Sequence, residues 1–326
     1  MIRTFARWML VATACTAAPI AYAQSAADYP NRPIRIVNPF STGGTTDTLA
    51  RLIGDELAKA WGQPVVVESK SGAAGSIGTQ FVARAAPDGY TIVLGTQGTH
   101  GTNMLLFRDL PYDAFKDFTP VTIVASAPLI LVVNPKLPVT TVQELVTYAK
   151  SRPEGFSYAS TSIGSSPHLA AEMFARAAGA KLVHVPYKGS GPAKTDLLGG
   201  HVGMLFDNIG SSLAAVKAGQ FRGLAVTGAA RSGAAPDIPT MAEAGFPGVL
   251  IDSWYVLAVP SSTPGEIVGK LHREVTRILN AQGNAEKIRA MGVDVVANTP
   301  ARAAERMRTD LDRYGKVIRD AGIKPE

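Results

Sequence analysis

The chain has 326 residues and a formal net charge of +6; 46% of its residues are apolar and 18% charged, an ordinary globular composition that excludes disorder and collagen-like repeats. At roughly 150 residues per domain, the length predicts two domains. The single cysteine, Cys15, excludes a disulfide scaffold and a cysteine-based zinc site.

Residues 1–23 read as a secretory signal peptide. Arg3 and Arg7 form a basic start, Trp8 to Thr16 is a short apolar stretch, and Ala21-Tyr22-Ala23 is a small-x-small cleavage signal. A lipoprotein signal at Cys15 would need Leu three residues earlier, where Ala12 stands. Cleavage leaves a chain without cysteine, as suits an exported protein. No later run is long and apolar enough to span a bilayer, so a soluble protein is expected. Mild positive charge without Lys/Arg clusters points away from nucleic acid and towards an anionic ligand.

In chain order, Ile34 to Val37 reads as a strand, Asn38 to Thr46 as a Gly/Ser/Thr loop and Asp47 to Trp61 as an amphipathic helix stopped by Gly62 and Pro64. Val65 to Glu68 is a second strand, Gly72 to Ser76 opens a helix running towards Ala86, and Thr91 to Leu94 is a third strand. This alternation predicts parallel strands with crossover helices. Val121 to Val133 is a long apolar run, read as a strand that leaves the first domain. The β/α logic then repeats: helix 142–151, strand 156–159, helix 168–178, strand 182–185, helix 189–198, strand 202–206, helix 213–218 and strand 222–226. Trp254 to Val259 is a returning strand, followed by helices 264–280, 285–291 and 300–321. Lobe one is therefore expected at 29–123 plus 229–326 and lobe two at 124–228, with a ligand cleft between them.

Each lobe carries one polar loop between a strand and a helix: Pro39 to Asp47, and Ser160 to His168. Free N–H groups and the dipole at a helix start favour an anion, and glycine lets backbone approach closely. Either loop alone reads equally well as an N-cap and a tight turn; two facing loops of one type favour a ligand site. The loop Gly95 to Asn103, with Thr96 and Thr99, is placed to line the same cleft. The amides of Gly43, Gly44 and Thr45 on one side, and of Ser162, Gly164 and Ser165 on the other, are the expected carboxylate donors. Phe40 and Tyr187 are cleft walls, while Trp254 reads more as core. His168 either touches ligand or is exposed, and His272 is expected at the surface. Asp207, taken to end a strand, is either an acceptor for a ligand amine or water, or a turn acid. Asp47 reads as a helix N-terminal acid.

Enzyme motifs fail. Lys188 to Thr195 lacks both P-loop glycines, and Ser160 to Gly164 has Ser where a nucleophile elbow needs Gly. No His-Glu-x-x-His occurs, and no two of the five histidines stand at metal-ligand spacing. No catalysis, cofactor or metal is expected.

The chain resembles the Bug-type extracytoplasmic solute receptors of tripartite tricarboxylate transporters, over nearly all of the processed length. The stretches that carry the resemblance are Tyr29 to Val37, Gly43-Gly44-Thr45-Thr46-Asp47, Ala86 to Thr91, Val185 to Gly189, Pro236 to Thr240 with Glu243-Ala244-Gly245, and Ser262-Thr263-Pro264. The resemblance implies an α/β, two-lobed periplasmic-binding-protein clamshell (type II-like), each lobe a mixed sheet flanked by helices. It implies a monomer in the periplasm that captures a small carboxylate (an amino acid, a di- or tricarboxylate or an aromatic acid) and presents it to the transporter's membrane subunits. The gripping loops map onto Phe40, Ser41, Gly43, Gly44 and Thr45, and onto Ser160 to His168. Ser41-Thr42 before the glycines departs from the family's commoner loop and adds polar reach. The alternatives are a sensor for a membrane-bound signalling kinase, which would use the same clamshell, and a periplasmic hydrolase, which the missing elbow disfavours.

Overall fold

The computed structural model describes residues 28–161, 163–187 and 189–323. The signal-peptide reading, Ser162 and Lys188 lie outside the described residues.

The first series is β1 (Ile34–Asn38), α1 (Thr45–Trp61), β2 (Val65–Ser69), α2 (Ser76–Ala83), β3 (Thr91–Thr96) and α3 (Asn103–Leu106). A long strand, β4 (Phe118–Val133), leads into the second: α4 (Val142–Lys150), β5 (Phe156–Ser160), α5 (Ser166–Ala178), β6 (Leu182–Pro186), α6 (Ser190–Gly199), β7 (Met204–Asn208), α7 (Ile209–Lys217) and β8 (Arg222–Val226). The chain returns as β9 (Asp252–Pro260), α8 (Gly265–Asn280), α9 (Gln282–Ala290), β10 (Asp294–Val295) and α10 (Pro300–Asp320).

The elements form where the sequence favours them. Leu49, Ile53 and Leu57 recur on one face of α1 and are fully buried. The helix ends at Gly62, whose φ of 65° is left-handed and whose N–H returns to Ala58. Thr141 and Glu144 close a capping box on α4.

The protein is two-lobed, and β4 belongs to both sheets. In the first, β1 runs parallel to β2 and β3, β3 pairs antiparallel with β9, and β9 pairs antiparallel with β4 as far as Pro128↔Asp252. In the second, β4 pairs antiparallel with β7 from Leu129↔Asn208 and with β8, while β5 runs parallel to β7 and β6. The strand therefore changes sheets between Pro128 and Leu129. Proline, which has no N–H to give, is tolerated at such a junction.

Each sheet has its own core. The first gathers Ile36, Leu49, Ile53, Leu257 and Leu271; the second gathers Leu131, Tyr158, Phe174 and Phe206. The return segment divides between them. Met241 to Ile251, with Tyr314 and Ile318, lie in the second core, although the sequence reading assigns all of 229–326 to lobe one. Helix α10 crosses: Met307 packs with Ile123 and Trp254, and Tyr314 packs in the second core. No helix among the described residues is long and apolar enough to cross a membrane.

Candidate functional site

Parallel strands deliver their carboxyl ends, and the starts of the following helices, to one side of a sheet. Here both sheets aim those ends at a common cavity of about 380 Å³. Lobe one contributes Phe40, Gly44, Thr45 and Thr46 at the start of α1, Ala74 after β2, and the turn from Thr96 to Asn103 after β3. Lobe two contributes Thr161 and Ile163 to Pro167 at α5, Gly189 and Ser190 at α6, and Asn208 at α7. Ser253, Trp254 and Tyr255 of β9 close one wall. The starts of α1, α5, α6 and α7, with the short α3, thus face one space.

None of the described lining residues is charged. Gly44 of α1 and Gly189 of α6 offer no side-chain cap to their helices, so the first-turn amides there are left to water or to a ligand. Such a ring attracts an anion through N–H groups and helix dipoles rather than through a cation. Among the described residues, no group of three or more His, Cys, Asp or Glu is placed to hold a metal.

Of the residues singled out in the sequence, Phe40, Gly44, Thr45, Thr96, Gly164 and Ser165 line the cavity. Gly43, Thr99, Ser160, His168, Tyr187 and Asp207 do not line it. The Gly43 N–H donates to Asp47 Oδ2 (3.0 Å), which also accepts from Arg51. Burial pushes the Asp47 carboxyl up, but these bonds outweigh it and hold it below the usual carboxylate range. The Gly164 N–H donates to His168 Nδ1 at 2.9 Å. Two amides expected to face a carboxylate are therefore already engaged, one on each side. Ser41 is exposed, and Thr99 is buried with its hydroxyl on Thr96 and His100. Tyr187 turns its hydroxyl to Asp196.

His168 is not exposed and does not line the cavity. It is 3% exposed and stacks on His184, with ring centroids 3.9 Å apart. Tyr158 packs against both rings, its centroid 4.9 Å from His184 and 6.2 Å from His168, and donates to Glu172, and Ser160 Oγ bonds His184 Nε2 at 2.7 Å. Burial holds His168 near pKa 3, helped by His184, and His184 itself near 4. His168 is thus a neutral acceptor that shapes the second loop. That loop also needs glycine at 164: φ is +70°, and a Cβ there would lie 1.8 Å from Leu106. Asp207 does not end its strand. It is fully buried inside β7 and accepts from Ser190 (2.6 Å) and Ser212 (2.7 Å), fixing the start of α6 from behind. His272 is half-buried and bonds the Asn298 carbonyl.

Gln97, Thr102, Asn103 and Ser166 lie in loops that the sequence assigns to the cleft without singling these residues out, while Gly189, Ser190 and Asn208 were missed. Gly189 and Asn208 each follow a strand and open a helix, the same grammar as the two loops that were found, but in loops too short to stand out. Trp254 is both core and wall: it is 1% exposed, lines the cavity and donates Nε1 to Asp310 Oδ2 at 2.8 Å. A larger groove of about 670 Å³ lies between α5 and α10. It is lined by side chains of both charges, among them the Arg176–Asp320 pair, and lacks the converging helix starts.

Two sheets sharing one strand, with helix starts around an uncharged space between the lobes, define a two-lobed solute-binding protein. The family model described as tripartite tricarboxylate transporter family receptor matches residues 49–323. Protein BugT of Bordetella pertussis is 37% identical over 317 residues, 97% of this chain and 96% of that one. The chain belongs to this receptor family. Among solved structures, R. palustris Rpa4515 with adipate is similar at a TM-score of 0.85 and 40% identity, covering 92% of this chain and 100% of that one. MatC from Rhodopseudomonas palustris with bound malate is similar at 0.79 and 33%, covering 89% and 100%.

Proposed function

We propose that this protein is a periplasmic, non-catalytic receptor that captures a small carboxylated metabolite between its lobes and presents it to the membrane subunits of a tripartite transporter. The observation that carries the reading is the cavity ringed by helix starts with no charged side chain among its described lining residues. Similar structures hold adipate and malate, and the same ring suits such an acid here. The ligand carboxylate sits at the uncapped start of α1, near Gly44, Thr45 and Thr46, and is met from lobe two by Ser165, Ser166 and Ser190. Phe40, Thr96 and Trp254 flank its body. Thr99, Ser160, His168, Tyr187 and Asp207 support the loops from behind. The lobes divide at Pro128–Leu129 of β4, and lobe two includes Met241 to Ile251 and the end of α10. The receptor acts as a monomer, which light scattering of the purified protein tests.

The test of function is a thermal-shift screen of four- to eight-carbon carboxylates beside their amides and alcohols. A ligand at a hundred times its dissociation constant adds about 2.7 kcal/mol of stability. Acids should stabilise and their neutral analogues should not. Stabilisation by amides or alcohols but by no acid would overturn the reading.

A further inference from the structure

We propose that Gln97 is a specificity-determining residue whose carboxamide NH2 reads a second oxygen-bearing group on the ligand, so that the cavity selects dicarboxylates over monocarboxylates of the same length. The proposal rests on the carboxylate reading above.

Gln97 follows β3 and is 2% exposed at the cavity wall. Its backbone is fixed on both sides: its N–H donates to the Trp254 carbonyl at 3.0 Å, and its carbonyl accepts from Thr102 N at 3.1 Å. Its side-chain Oε1 accepts from Ser166 Oγ of the opposite lobe at 2.8 Å. That bond orients the carboxamide and leaves Nε2 buried with no partner. Thr102 Oγ1, in the same turn and also on the wall, is likewise buried and unpartnered.

Buried donors are normally satisfied, because a stranded one forfeits its hydrogen bonds to water. Two such donors in one turn of the cavity wall point to an acceptor that arrives with the ligand. The start of α1 takes one carboxylate of the ligand. The turn at Gln97 and Thr102 offers neutral donors to another. Because Ser166 belongs to lobe two, the carboxamide is held in its reading orientation only when the lobes are together, which couples closure to recognition of the second group.

The experiment is calorimetry of adipate against hexanoate, and of the other dicarboxylates of four to eight carbons against their monoacids, on the wild type and on Gln97→Leu, Gln97→Glu and Ser166→Ala. The wild type should prefer the dicarboxylate. Gln97→Leu should weaken it by about tenfold to a hundredfold, the scale of one hydrogen bond to a charged group, with a smaller loss for the monoacid, which feels only the broken contact with Ser166. Gln97→Glu keeps an acceptor for Ser166 but removes the donor, and should also lose the preference. Ser166→Ala frees the carboxamide and should weaken the dicarboxylate more than the monoacid. Equal loss of both acids in Gln97→Leu, or no preference in the wild type, would overturn the assignment of Gln97 while leaving the carboxylate reading standing. Absence of binding by every acid to the wild type would overturn that reading and this inference with it.

Discussion

Replacing Gly44 with aspartate places a fixed carboxylate where the ligand's carboxylate is proposed to sit. The backbone accepts the change: φ and ψ are −84° and 172°, ordinary N-cap values, and a Cβ there meets nothing nearer than the Ser41 carbonyl oxygen at 3.9 Å. Aspartate is among the best N-caps, and α1 has no side-chain cap, so folding stability should hold or rise by a few tenths of a kcal/mol. Ligand binding should move the other way. Two negative charges about 4 Å apart at an effective dielectric constant of 20 repel by about 4 kcal/mol, close to a thousandfold in affinity. Gly44→Asn has the same shape and capping ability without the charge, so the difference between the two variants isolates the charge. The assay is calorimetry with adipate, or with whichever acid of the panel binds the wild type, alongside thermal unfolding of the unliganded variants. Equal losses in the Asp and Asn variants, or an aspartate variant that still binds, would refute the placement of the anion at α1.

Three further outcomes are expected. His168→Leu removes the acceptor of the Gly164 N–H and should weaken binding about tenfold, the scale of one hydrogen bond; His168→Asn, whose Oδ1 takes the place of Nδ1, should restore most of it in the same titration. Burial holds His100 and His168 near pKa 3 and His184 near 4, below the unfolded value of about 6.5. The unfolded chain therefore takes up protons first as pH falls from about 6.5 to 4, and stability should drop by up to about 1.4 kcal/mol per pH unit for each ring; denaturant titrations across that range should show it, with a shallower slope in His168→Asn. Asp310→Ala strands the Trp254 indole N–H, leaves Arg306 only Asp252 and removes the acid partner of Arg313, which should lower stability by about 1–3 kcal/mol in denaturant unfolding.

Local chemistry made much of this protein readable. The loops at Phe40–Asp47 and Ser160–His168 announce themselves because glycine, serine and threonine cluster between an apolar run and an amphipathic one. The long run ending at Val133 is one strand because its residues are buried in two sheets in turn. Non-local pairing was beyond reach. Nothing in Trp254 to Val259 says that β9 lies antiparallel between β3 and β4. Nothing in the spacing of His168 and His184 says that their rings stack. Gln97 looks like any loop amide until Ser166, distant in sequence, is brought to its carbonyl oxygen. Asp207 read as a strand-end acid because the serines that donate to its Oδ2, Ser190 and Ser212, come from two helices.

The most direct measurement is a crystal structure of the complex with the tightest-binding carboxylate of the screen. The account predicts a carboxylate oxygen within about 3.2 Å of first-turn amides at the start of α1, and no lysine or arginine nitrogen within about 4 Å of it. A carboxylate paired with a guanidinium or ammonium group, or an acid seated in the groove between α5 and α10, would contradict it.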